Sequence, residues 1–149
     1  MVGFVLIVLL VTIVAFIFLI INIRKPPQKL PSNEVESFMQ SAMKYSTDCY
    51  SSVERRYDVR DLIKACSNNE LCLNKKTSCN ILNQTLSGIL EESWNPGKEN
   101  PIKAYNLKIY DKNTNKTIIN LKEGICSGSR VGSSIPIPGG LVSELDICG

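Results

Sequence analysis

Six cysteines, Cys49, Cys66, Cys72, Cys79, Cys126 and Cys148, have the most constrained chemistry in this chain, because no histidine accompanies them. A thiolate can ligate zinc, act as a nucleophile or oxidise to a disulfide. Zinc sites made of cysteine alone use paired Cys-x2-Cys knuckles, and the gaps here are longer. No Cys-x-x-Cys redox pair is present, and without histidine neither a Cys-His nor a Ser-His-Asp set can form. Structural disulfides in an oxidising compartment are the reading that fits.

Other reactive groups are spaced for structural work. Asp58 and Asp61 suit a helix N-terminus, and Glu91 and Glu92 a solvated helix end. The stretch Gly128 to Ser134 holds small residues and Arg130, but lacks the Gly-Lys-Ser ending of a phosphate loop. The net charge of +3 arises from interspersed lysines and acids, so no basic stripe points to nucleic acid. The expectation is a chain that is not an enzyme and takes no cofactor, metal or nucleic acid. Two sequons, Asn83-Gln84-Thr85 and Asn115-Lys116-Thr117, are candidate N-glycosylation sites and lean towards an extracellular location.

The elements that carry these residues begin with an uncharged segment. From Met1 to Ile23 there is no Lys, Arg, Asp or Glu, and the apolar residues follow one another without a polar face. As a helix it would cover about 33 Å, enough for a roughly 30 Å hydrocarbon core, so the expectation is a long hydrophobic helix able to span a membrane. Phe4, Leu6, Leu9, Leu10, Ile13, Phe16, Ile17 and Ile20 are the side chains expected in that membrane or in a protein core. The segment is too long for the apolar region of a cleavable signal and has no small-residue cut site. Arg24, Lys25 and Lys29 would by charge alone place the C-terminal domain in the cytoplasm, whereas the cysteines place it outside. The two agree if a basic leader once preceded Met1; otherwise the charge rule is overridden.

Pro26, Pro27 and Pro31 predict an extended neck. Asn33 and Glu36 resemble a capping box, and Val35, Phe38, Met39, Ala42 and Met43 predict a helix from Asn33 to about Thr47, with Cys49 close to its apolar face. Asp58 to Cys66 reads as a shorter helix, and Thr77 to Trp94 as another, with Cys79, Leu82, Leu86, Ile89 and Leu90 on one face. After Pro101 the period changes to two: Tyr105, Leu107 and Ile109 mark a strand, Asp111 to Asn115 a turn, and Thr117 to Leu121 the returning strand. A third strand is expected over Ile125 and Cys126, a long surface loop over Gly128 to Gly140, and a closing strand over Leu141 to Cys148. The predicted class is α+β, a long N-terminal hydrophobic helix followed by a disulfide-braced head of short helices and an antiparallel sheet. Its divisions are residues 1–24, a neck at 25–32 and an extracellular head at 33–149.

On these elements Cys126 with Cys148 is the first pairing expected. Cys49 with Cys79, leaving Cys66 with Cys72, is preferred for the rest, with the crossed set, Cys49 with Cys72 and Cys66 with Cys79, nearly equal to it.

The arrangement resembles type IV pilins, in their archaeal branch. The apolar start Met1-Val2-Gly3-Phe4, the amphipathic helix after it and the disulfide-braced head carry the likeness; Val5 stands where bacterial pilins commonly have glutamate. The tail from Gly124-Ile125-Cys126 to Leu145-Asp146-Ile147-Cys148 also looks like that of small archaeal single-span proteins. The resemblance implies a basic leader cut before Met1 by a prepilin peptidase, residence in the membrane before assembly, and dedicated assembly machinery. It further implies polymerisation with copies of the same chain into a surface filament for adhesion. A single-span, membrane-anchored surface binding protein is the alternative.

Overall fold

Apolar residues recur at helical spacing in the middle of the chain and at every second position towards its end, and the two patterns meet in one core. The computed structural model describes residues 2–23, 32–52, 55–97 and 100–149. In chain order the elements are α1 (Val2–Ile23), α2 (Ser32–Ala42), β1 (Ser46–Ser52), β2 (Arg55–Asp58), α3 (Val59–Ser67), α4 (Ser78–Trp94), β3 (Ala104–Asp111), β4 (Thr117–Gly124), β5 (Arg130–Ile137) and β6 (Leu141–Cys148).

The last four strands form an antiparallel sheet ordered β4-β3-β6-β5. Register aligns Leu107 with Leu121 and Leu145, and Ile109 with Ile119 and Ser143, so one face is apolar. Val35 and Met39 of α2 and Leu82, Leu86 and Leu90 of α4 are buried in the same core. Phe38 and Trp94, ring centroids 3.9 Å apart, lock the two helices together. Gly124 ends β4 with φ +78°, where a Cβ would collide with the Lys103 carbonyl, so only glycine lets the strand turn there.

The first element corrects the expected class. α1 is helical from Val2 to Ile23, yet no helix among the described residues is long and apolar enough to cross a membrane. In place of a head behind a long membrane-spanning helix, the described residues form four helices and two antiparallel sheets. The expected neck lies outside the described residues, except Ser32, which opens α2.

Three further expectations change. The helix expected to reach Thr47 stops at Ala42, because the Val59 and Arg60 N–H groups opening α3 donate to the carbonyls of Tyr45 and Met43 (3.0 and 3.2 Å). Its end is used to satisfy the start of another helix. Thr47 and Cys49 lie instead on β1, buried alternately, and the Thr47 hydroxyl donates to the Tyr57 carbonyl at 2.8 Å. Ile125 is not in a strand and is 83% exposed. The expected loop from Gly128 to Gly140 contains β5, whose Val131, Ser133, Ile135 and Ile137 pair with β6 through Ile147, Leu145, Ser143 and Leu141. Pro136 is tolerated because β5 is an edge strand, where its missing N–H interrupts no ladder.

Candidate functional site

Helix α1 carries the largest exposed apolar surface among the described residues. Val5 and residues 7–11, 13, 14 and 16–20 are exposed, from 46% at Val8 to 68% at Phe16. Thr12, the sole polar residue within residues 7–20, donates its hydroxyl to the Leu9 carbonyl at 2.8 Å. That hydroxyl is satisfied within the helix. A cylinder about 21 Å long and 10–12 Å across has a side wall of about 700 Å², beyond the roughly 300–600 Å² of the largest apolar patch on a typical monomer. At 100° per residue these positions go round the whole circumference, so no polar side is left to face water. Leu9, Leu10, Ile13, Phe16, Ile17 and Ile20 all contribute; Phe4 and Leu6 belong to α1, but their side chains lie outside those described.

All six cysteines are paired: Cys49–Cys72, Cys66–Cys79 and Cys126–Cys148. The first choice from sequence, Cys126 with Cys148, is found, and the other two bridges are the crossed set. Cys49 is on β1 and not on a helix face, which corrects the preferred pairing. The Leu73 N–H donates to the Tyr50 carbonyl, laying Cys72 beside β1, while the end of α3 meets the first turn of α4 and brings Cys66 to Cys79. The bridges are consistent with an extracellular or otherwise oxidising environment.

The carboxylates hold the fold. Asp58 caps α3, accepting from the Asp61 N–H at 2.7 Å, and Asp61 pairs with Lys64 at 3.3 Å and Arg55 at 3.6 Å. Glu91 and Glu92 are exposed near the end of α4. Among the described residues no group of three or more His, Cys, Asp or Glu side chains could hold a metal ion. The Tyr105 hydroxyl donates to Glu123 at 2.7 Å, and burial together with that carboxylate raises its pKa well above the usual 10.0. The phenol therefore resists ionisation more strongly folded than unfolded. Stability from this group is complete below about pH 10 and is lost as pH climbs towards the raised folded value. Tyr105→Phe is expected to flatten the alkaline fall, read from urea midpoints on either side of pH 10.

No family model, curated protein or solved structure matches the chain. Function is then legible only in the molecule's own surfaces. Besides α1, a polar cleft of about 330 Å³ lies between β1 and α4, lined by Tyr45, Asp48, Gln84, Gly88 and Glu92 among others. A Cβ at Gly88 would meet nothing within 4 Å. Gly88→Ala is thus expected to raise stability by up to about 1 kcal/mol, seen as a higher urea midpoint with unchanged slope.

The β1–β2 hairpin and the cleft beside it were not anticipated from sequence. The alternation of Thr47 and Cys49 was the available signal, but it is too short to outweigh the helical pattern before it. Asn83 lies exposed on α4, and Asn115 in the turn between β3 and β4.

Proposed function

We propose that this protein is the structural subunit of an extracellular, type IV pilin-like filament, a surface appendage or adhesion fibre, in which α1 helices of many copies pack side by side and the heads face outward. The observation that carries the reading is the apolar surface of α1, exposed round its whole circumference. A single partner helix would cover one side and leave the others wet. Neighbours on every side, as in the core of a fibre, remove the whole surface from water.

The energetics favour the same conclusion. Full burial of one Leu, Ile, Val or Phe is worth about 1.5 to 3 kcal/mol, while association costs roughly 4 to 15 kcal/mol. Covering a few side chains would do little more than offset that cost, so stable assembly needs most of α1 covered. Three disulfides support the reading from the other end, since they brace an outward-facing head in an oxidising medium. The partners in this reading are copies of the chain, with assembly machinery expected from the pilin resemblance, and no catalysis is assigned to it.

Electron microscopy and sedimentation of the full chain in detergent-free buffer test the proposal. Filaments or high-order particles are the expected result. Monodisperse single chains under those conditions, or chains that stay in solution only as detergent-bound monomers, would overturn it.

A further inference from the structure

The two Asn-x-Thr sequons sit on different backbones, and that difference separates them chemically. An acceptor motif that demands a hydroxyl two residues after the asparagine is one whose enzyme reads the amide and the hydroxyl together. Asn83 and Thr85 lie inside α4, where positions two apart point about 200° away from each other. Asn83 Oδ1 also accepts from the Ser87 hydroxyl at 3.4 Å, and Thr85 is half-buried against the polar cleft. One active site cannot reach both groups without unwinding a helix whose Leu82 and Leu86 are buried in the core.

Asn115 and Thr117 are placed otherwise. Asn115, Lys116 and Thr117 are all exposed where the chain leaves the β3–β4 turn and enters β4. No helix fixes these two residues on opposite sides, and neither side chain is covered by the core. The turn is tied down by its neighbours: Asp111 Oδ1 accepts from the N–H groups of Asn113 and Thr114 (2.8 and 3.4 Å), and the Asp111 N–H donates to the Lys116 carbonyl at 2.9 Å. Asn115 itself has φ +56°, which asparagine tolerates, at the end of the turn.

We infer that Asn115 is an N-glycosylation acceptor of the folded protein and that Asn83 is not. The donor is a lipid-phosphate-linked oligosaccharide. Asn115 Nδ2 forms a bond to the anomeric carbon as that carbon's bond to phosphate oxygen breaks; the lipid phosphate leaves with the electron pair, and the amide gives one proton to a base of the transferase. The oxidising compartment that the disulfides require is compatible with this chemistry. The inference does not depend on how α1 is covered.

The test exposes purified, oxidised full-length protein to an oligosaccharyltransferase and a lipid-linked oligosaccharide, with glycopeptide mass spectrometry as the readout. One glycan on the peptide containing Asn115 and none on that containing Asn83 is expected. Thr117→Val should abolish the glycan, Thr117→Ser should keep it, and Thr85→Val should leave it unchanged. Asn115→Asp, which tolerates the same turn geometry, gives a second variant without the acceptor amide, and intact mass confirms three disulfides in each. A glycan on Asn83, glycans on both asparagines, or none on Asn115 would overturn the inference.

Discussion

Full-length protein carrying Ile13→Lys is expected to stay as single chains under conditions in which the parent chain assembles. Ile13 is near the middle of α1 and 51% exposed, so in the proposed fibre it would be covered by neighbouring copies. The substitution removes about 1.5 to 3 kcal/mol of apolar burial per subunit and places an ammonium in a core where the effective cost of burial is several kcal/mol. No acidic residue lies within α1 to pair with it. A combined loss above about 3 kcal/mol raises the concentration needed for assembly by more than about 100-fold, since each 1.4 kcal/mol is tenfold. Ile13→Leu, similar in volume, should assemble like the parent. Sedimentation reads both, with the disulfides of the head as the check on folding. Assembly by Ile13→Lys at the parental concentration would remove α1 as the polymerising surface.

The second large effect is expected from reduction. The bridges join residues separated by 23, 13 and 22 positions. Restriction of the unfolded chain by loops of that size is worth about 3 kcal/mol each, together on the order of 10 kcal/mol against a typical net stability of about 5 to 15 kcal/mol. Complete reduction should therefore unfold the head at room temperature, seen as loss of the near-ultraviolet signal of Trp94 where it packs on Phe38. Removing Cys66–Cys79 alone, as the paired change to alanine, should lower stability by about 3 kcal/mol. It should also loosen α3 from α4 before the sheet, because that bridge joins the end of one helix to the start of the other. A head whose signal is unchanged under full reduction would mean that packing alone holds it.

Local pattern made parts of the fold legible. Tyr105, Leu107 and Ile109 alternate with polar neighbours, and β3 lies where they do, with β4 returning after the Asp111 to Asn115 turn. Leu82, Leu86 and Leu90 recur every four residues, and α4 buries that line. Asp58 suits a helix N-terminus, and it caps α3. β5 escaped because Gly132, Ser133, Ser134 and Pro136 have poor strand propensity; it exists because β6 offers it a ladder and α2 covers its inner side. The end of α2 escaped because the carbonyls that stop it bond to α3, more than ten residues away in sequence.

By itself the sequence determined that the N-terminal helix would be without charge, that the cysteines would be oxidised, and that helical periodicity would give way to strand periodicity after Pro101. Each rests on residue identity or on spacing within one element. Which cysteine meets which, where α2 ends, and that a glycine- and proline-rich stretch becomes an edge strand were decided only by tertiary structure. Those outcomes depend on partners brought together from distant parts of the chain, and hydrogen-bond satisfaction and burial are settled only when the whole chain has packed.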